Sequence, residues 1–142
     1  MKINLQIIEQ LKTLSLSSTY TKHPIAAAIV YRNKIISFGI NQSKTHPYQM
    51  RYGRNKESIY WHAETNALYI ADKKLGFDKF HNASLYIARM KWNGTDKKTL
   101  VHGLSLPCDG CMRCIKEYGI KSIIYTLDQV EGEKENFGIM LL

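Results

Sequence analysis

The chain has 142 residues, of which 44% are hydrophobic and 23% are charged. This balance is ordinary for a globular protein, so the composition excludes a wholly disordered chain. No apolar run reaches the roughly 18 residues that cross a membrane. The length predicts one domain spanning residues 1–142. Lys and Arg number 20 against 12 for Asp and Glu, and the resulting net charge of +8 favours a phosphorylated or polyanionic partner.

Hydrophobic periodicity predicts alternating helices and strands. Residues 3–16 have the spacing of an amphipathic helix. Because Glu9 and Gln10 follow Ile7–Ile8 directly, this segment lacks the apolar core of a signal peptide, and a cytoplasmic location is expected. Residues 25–31 and 35–40 flank a polar turn and predict a hairpin. The other predicted elements are helices at 62–75 and 108–118, strands at 84–89 and 122–127, and a short edge strand at 137–142.

Two segments, 42–60 and 91–103, have no clear periodicity and are predicted to be irregular. The helix at 108–118 lies between two strands, and a right-handed parallel crossover is the simplest connection between them. The sequence therefore predicts an α/β layered domain.

All three cysteines lie close together, at Cys108, Cys111 and Cys114. A disulfide framework would spread its cysteines along the chain and would usually contain an even number. In a cytoplasmic protein, this clustering indicates a metal site.

Two short motifs contain the side chains that such a site needs, and each lies at the predicted start of a helix. They are His62-Ala63-Glu64 and Pro107-Cys108-Asp109-Gly110-Cys111. Cys108 and Cys111 are three residues apart and share one helix face, where the helix N-terminus favours the thiolate form that binds zinc. Together with His62 they supply three ligands, which leaves the fourth tetrahedral position open to water, as in catalytic zinc sites. Glu64 is predicted to transfer protons and not to bind the metal.

Other interpretations of these residues remain open. A C-x-x-C pair also occurs in redox sites and in structural zinc sites, and in a structural site Cys114 would be the fourth ligand, one helical turn further on. Cys114 would fit equally well as a small core residue. The remaining histidines are interpreted as surface or structural residues, namely His23, His46, His81 and His102.

The two motifs match the H-x-E…P-C-x-x-C signature of zinc-dependent nucleobase deaminases, and residues 24–127 resemble the cytidine and deoxycytidylate deaminase superfamily in element order as well. The resemblance implies a three-layer α/β/α fold around a central mixed sheet of about five strands. It implies hydrolytic deamination of a nucleobase, with cytosine favoured, one Zn²⁺ held by His62, Cys108 and Cys111, and Glu64 as the proton shuttle. It also implies that Asn41 contacts the sugar of the substrate and that Ala63 borders the substrate.

The predicted parallel strands resemble the branch that contains the deoxycytidylate and transfer-RNA adenosine deaminases, more than the small free-cytidine enzymes. Residues 104–108 read Leu-Ser-Leu-Pro-Cys where the family often has Thr-Leu-Glu-Pro-Cys, and residues 91–103 lengthen the connection before this run. These departures leave the exact substrate open, but not the metal.

Residues 42–61 are rich in basic and aromatic side chains and lead directly into His62. Arg51 and Arg54 are predicted to hold a 5′-phosphate, because the guanidinium fork matches phosphate geometry. The favoured substrate is therefore dCMP, converted to dUMP with release of ammonia. The alternatives are a base in transfer RNA or single-stranded DNA, free (deoxy)cytidine, and a non-catalytic structural zinc module. The abundance of apolar residues and the family resemblance predict a homo-oligomer.

Overall fold

A six-stranded mixed sheet forms the centre of the fold. The structure is a computed structural model, and it describes residues 3–19, 23–52, 60–92, 100–129 and 134–142. The elements in chain order are α1 (Leu5–Ser15), β1 (Ile25–Tyr31), β2 (Lys34–Ile40), α2 (Pro47–Met50), α3 (Ala63–Asp72), a 3₁₀ helix (Phe77–Asn82), β3 (Ala83–Trp92), β4 (Leu100–Gly103), α4 (Asp109–Glu117), β5 (Ser122–Thr126) and β6 (Phe137–Leu141). None of the described helices is long and apolar enough to cross a membrane.

The strands pair in the order β2-β1-β3-β5-β6, and β4 pairs with residues 89–92 of β3, past the part of β3 that pairs with β5. The pairing of β3 with β5 is parallel and the other pairings are antiparallel. The predicted parallel crossover is therefore confirmed, and so is the short edge strand at the end of the chain. The predicted fold class is confirmed as well, with six strands in place of about five.

Helices cover both faces of the sheet. Helix α1 begins at Asn4, whose side-chain oxygen accepts hydrogen bonds from the backbone N–H groups of Gln6 and Ile7. Its apolar side packs on one face of the sheet, mainly through Ile8 and Leu11. Helices α3 and α4 cover the opposite face, where the larger core cluster lies. This α/β/α layering places the amino ends of α3 and α4 together on one side of the sheet.

The β1–β2 hairpin has a two-residue turn. Arg32 and Asn33 both have positive φ values, 52° and 62°, as a type I′ turn requires. This turn matches the right-handed twist of the strands it joins, which explains why the predicted hairpin bounds agree closely with the structure.

Close packing of α3 on β2 positions the start of α3. A Cβ atom at Gly39 would overlap the carbonyl oxygen of Ala63 and the amide nitrogen of Ala67. Two side-chain hydrogen bonds join the same elements, from Ser37 Oγ to the Ala67 carbonyl at 2.7 Å and from Asn66 Nδ2 to the Ile40 carbonyl at 3.2 Å. The lack of a side chain at residue 39 thus allows the helix to approach the sheet directly behind the predicted motif at His62.

The two segments predicted to be irregular contain regular structure. The prediction for 91–103 was wrong at both ends, because β3 continues to Trp92 and residues 100–103 form β4. Pairs such as Arg89 with Gly103 and Met90 with His102 hold this hairpin together through long-range backbone hydrogen bonds, which leave no local periodicity. Within 42–60, the structure contains the short helix α2 and a bridge between Thr45 and Tyr60. Residues 53–59 and 93–99 lie outside the described residues.

Candidate metal centre and active site

Three potential metal ligands meet where two helices begin. His62 directly precedes α3 and Cys108 directly precedes α4, and both have extended backbone angles, with φ/ψ of −81°/154° and −71°/169°. Cys111 lies in the first turn of α4 and is buried. The Nδ1 atom of His62 lies 3.2 Å from Cys111 Sγ and 3.5 Å from Cys108 Sγ. Among the described residues, these three form the one group of His, Cys, Asp and Glu donors that converges tightly, with all ligand atoms within 4.8 Å of one another.

The geometry of this group fits zinc. A tetrahedral ion with Zn–S of about 2.3 Å and Zn–N of about 2.1 Å needs nitrogen–sulfur separations of about 3.6 Å. The observed separations of 3.2 and 3.5 Å require only a small expansion around the ion. One imidazole and two thiols are also a donor set that zinc prefers over magnesium or calcium.

The protonation of the two thiols supports a cation at this position. The hydrogen bond from Cys111 lowers the pKa of Cys108 to about 3, whereas the hydrogen bond with Cys108 and burial raise the pKa of Cys111. A zinc ion would favour the thiolate form of both sulfur atoms.

Glu64 lies in the first turn of α3 and its side chain is only 5% exposed. Burial raises the pKa of its carboxyl group, partly offset by the nearby charge of His62. Glu64 does not belong to the converging ligand group. A buried carboxylate next to the ligands, with a pKa moved towards neutrality, is suited to accept and return a proton.

A cavity of about 230 Å³ opens beside this centre. This volume is below the roughly 300–1,000 Å³ typical of sites for drug-sized ligands, and it suits a single base. The side chain of Trp61 forms part of the wall and is stacked on His46, with ring centroids 3.8 Å apart. The residues lining the cavity are His23, Ile25, Asn41, Gln42, Tyr60, Trp61, His62, Ala63, Glu64, Leu106 and Cys108.

Comparison with known proteins identifies the family. The family model described as the cytidine and deoxycytidylate deaminase zinc-binding region matches residues 1–127. The chain belongs to this family. It is a zinc-dependent hydrolytic deaminase, and His62, Cys108 and Cys111 are the cluster that could hold the zinc. No curated protein matches the sequence.

Solved structures share the fold of this deaminase. Cytidine deaminase from Burkholderia pseudomallei is 17% identical with a TM-score of 0.63, over 99% of this chain and 93% of that one. The dCMP deaminase of cyanophage S-TIM5 is 18% identical in both of its structures. Its apo form has a TM-score of 0.50, over 87% of this chain and 84% of that one. Its complex with dCMP and dUMP has a TM-score of 0.53, over 88% of this chain and 82% of that one.

Asn41 and Ala63, the residues predicted to contact the substrate, both line the cavity of the deaminase. The amide of Asn41 is also part of the wall itself. Its Oδ1 accepts from Ser18 Oγ at 2.5 Å and from the backbone N–H of Ile25 at 3.0 Å, and its Nδ2 donates to the His23 carbonyl at 2.6 Å. Asn41 therefore holds the wall in place, and its contact with a sugar stays a prediction.

The two arginines predicted to hold a phosphate are not among the described residues that line this cavity. Arg51 ends α2 and lies over the ring of Tyr48, 5.8 Å from its centroid, in a separate cleft that also contains Asp72 and Glu117. Arg54 lies outside the described residues. The role of either arginine in phosphate binding stays a prediction.

Gln49 is a supporting residue that the sequence analysis missed. It lies in α2 and is 1% exposed, and its Oε1 accepts from the backbone N–H of His62 at 3.1 Å and from the hydroxyl group of Thr65. Gln49 thus fixes the backbone of a metal ligand at the start of α3. The segment has no clear periodicity, so the sequence offered no signal for this role.

Cys114 is separate from the metal ligands. It is fully buried, its Sγ lies 3.4 Å from Tyr48 Oη, and it is not part of the converging group. The described residues therefore provide three ligands and not the four of a closed structural zinc site. This arrangement is the one expected of a catalytic centre.

Proposed function

We propose that this deaminase converts dCMP to dUMP with release of ammonia. The observation that carries the proposal is the position of Glu64, buried beside His62 and Cys108 at the lining of a cavity of about 230 Å³. Among the described lining residues Glu64 is the single carboxylate, so electrostatic repulsion of an anionic substrate by these residues is weak. The net charge of +8 also favours a nucleotide over a nucleoside.

In hydrolytic deamination of cytosine, a C–O bond forms at C4, the C4–N bond breaks, and the amine leaves as ammonia. A zinc ion held by His62, Cys108 and Cys111 would make a water molecule acidic near neutral pH. Glu64 takes a proton from the attacking water and returns protons to the ring nitrogen and to the leaving amine. Its burial keeps bulk water from competing for these protons.

The apolar part of the cavity positions the base. Ile25, Trp61 and Leu106 line it, and the stacking of Trp61 on His46 fixes the indole ring in one orientation. Flat apolar walls favour a planar ring, and the polar groups at one end favour the edge that carries the exocyclic amine.

An ammonia-release assay on the zinc-loaded protein tests the proposal. The panel contains cytosine, deoxycytidine, dCMP, dAMP and a cytosine-containing oligonucleotide, and dCMP should have the highest kcat/KM. Equal activity on deoxycytidine would favour a nucleoside enzyme. Higher activity on the oligonucleotide, falling steeply with salt, would favour a polynucleotide enzyme. No deamination of any cytosine compound would refute the proposal.

Three further expectations stay predictions. Arg51→Gln or Arg54→Gln should lower kcat/KM for dCMP more than for deoxycytidine if residues 42–61 bind the phosphate. Light scattering should show a homo-oligomer. A cytoplasmic location would keep the thiol ligands reduced.

A further inference from the structure

We propose that Arg89, together with His23, binds the 5′-phosphate of the substrate and gives the enzyme its preference for a nucleotide; this inference rests on the proposed function. Arg89 lies near the end of β3 and pairs in register with Ile25 of β1, a residue of the cavity wall. Its side chain leads from the sheet towards the cavity, where His23 is one of the lining residues.

The fold makes space for the Arg89 side chain along β4. Gly103 pairs with Arg89, and a Cβ atom at Gly103 would lie only 3.1–3.2 Å from Cγ, Cδ and Nε of the arginine. Such distances are shorter than ordinary van der Waals contacts between carbon atoms, which are about 3.5–4.0 Å. The lack of a side chain at residue 103 therefore lets the stem of Arg89 lie flat against the neighbouring strand.

Two hydrogen bonds hold the guanidinium group. Nη1 donates to the Leu104 carbonyl at 3.3 Å, and Nη2 lies 2.7 Å from Nδ1 of His23. Because a guanidinium group can only donate, His23 Nδ1 must be the acceptor, and the neutral imidazole then carries its proton on Nε2. The pair therefore places a permanent positive charge beside the imidazole of His23, a residue of the cavity wall.

Among the described residues, the guanidinium group of Arg89 forms no ion pair. Its buried Nε has no hydrogen-bond partner in this part of the chain. Asp128 is an acidic group nearby, and its Oδ1 accepts from Lys91 at 2.9 Å and from the backbone N–H of Leu104 at 2.9 Å. Asp128 thus forms its ion pair with Lys91, while Arg89 contributes at longer range to the lowered pKa of Asp128.

An anion at the mouth of the cavity would compensate this charge. No lysine or arginine is among the described residues that line the cavity, and Arg89 is a cation within hydrogen-bond distance of one lining residue, His23. The planar guanidinium fork matches the geometry of a phosphate group. The chemistry of the pair thus selects a phosphorylated nucleotide over a nucleoside.

Binding of the reaction products tests this inference without catalysis. Calorimetry on the zinc-loaded protein should show that dUMP binds more tightly than deoxyuridine. Arg89→Gln should reduce this preference by about ten- to a hundred-fold, the usual cost of one hydrogen bond to a charged group, and leave deoxyuridine binding within about threefold. Arg89→Lys, which keeps the charge without the fork, should have a smaller effect.

Lys34→Gln is the control, because it removes one positive charge at an exposed position of β2 that is outside the cavity lining. It should change the dUMP preference by less than about threefold. Zinc content and thermal midpoint show whether each variant folds. If Arg89→Gln does not fold, His23→Gln at the exposed end of the pair should reduce the preference instead.

Equal binding of dUMP and deoxyuridine by the wild-type protein would overturn the inference, and so would an unchanged preference in Arg89→Gln or an equal loss in Lys34→Gln. These outcomes differ from a failure of the proposed function, which would appear as the absence of deamination on every cytosine compound. A deaminase that acts on deoxycytidine and dCMP alike would retain the chemistry and lose only the phosphate site.

Discussion

Replacing Gln49 with methionine would test whether a residue from α2 supports the metal centre. The Oε1 atom of Gln49 accepts from the backbone N–H of His62 and from the Thr65 hydroxyl. Methionine has nearly the same length and volume, so it would remove this acceptor without leaving a large cavity. The variant thus separates hydrogen bonding from packing.

The size of the effect follows from the partners that remain. The Thr65 hydroxyl also lies 3.1 Å from the His62 carbonyl, so it keeps an acceptor. The N–H group of His62 would lose the acceptor it has in this structure, and an unsatisfied buried donor costs about 1–3 kcal/mol. Because the residue that loses it is a metal ligand, zinc affinity should also fall by about ten- to a hundred-fold.

Urea denaturation of the zinc-loaded protein would measure the free energy of unfolding, and competition with a chelator would measure zinc affinity. Gln10→Met is the control, since Gln10 is exposed on α1. It should change the free energy of unfolding by less than about 0.5 kcal/mol. If Gln49→Met has the stability and the zinc affinity of the wild-type protein, the supporting role assigned to Gln49 is wrong.

Four further variants test the centre and its surroundings. Glu64→Gln should keep about one zinc per chain by metal analysis and lose at least about a hundred-fold in ammonia release, because the amide cannot transfer the proton. Cys108→Ser should lose the zinc and much thermal stability, whereas Cys114→Ser should keep both the zinc and activity within a few-fold. Burial lowers the pKa of His102 in the folded protein, so below about pH 6.5 the unfolded state binds more protons than the folded state. The free energy of unfolding should therefore be highest above that pH and decrease as the pH falls. The decrease should not exceed about 1.4 kcal/mol per pH unit, and His102→Gln should flatten it in urea denaturation measured between pH 7 and pH 5.

Each of these expectations has a contrary result. Turnover of Glu64→Gln within a few-fold of wild type would remove Glu64 from proton transfer. Loss of zinc in Cys114→Ser would indicate a four-ligand structural site. An equal pH dependence with and without His102 would assign the change to other groups, such as Glu135, whose pKa the hydrogen bond with Lys12 lowers.

Short-range patterns in the sequence were enough to predict the ligands and most elements. The three-residue spacing of Cys108 and Cys111 and the helix starts beside His62 and Cys108 are local features. The structure brings these three side chains together as predicted, although His62 and Cys108 are 46 residues apart in the chain. The hairpin of β1 and β2 was equally visible, because two apolar runs and a turn at Arg32–Asn33 are local features.

Tertiary structure decided what surrounds the metal centre. Strand β4 exists because its backbone pairs with β3 across a long connection, and this pairing places Gly103 beside Arg89. The contact of Gln49 with His62 spans 13 residues, and that of Arg89 with His23 spans 66. Such contacts depend on how elements pack and not on periodicity along one of them. For that reason the sequence alone was enough to predict His62, Cys108 and Cys111 as zinc ligands, while the packing of β3, β4 and α2 decided which side chains support the site and placed Arg89 next to His23.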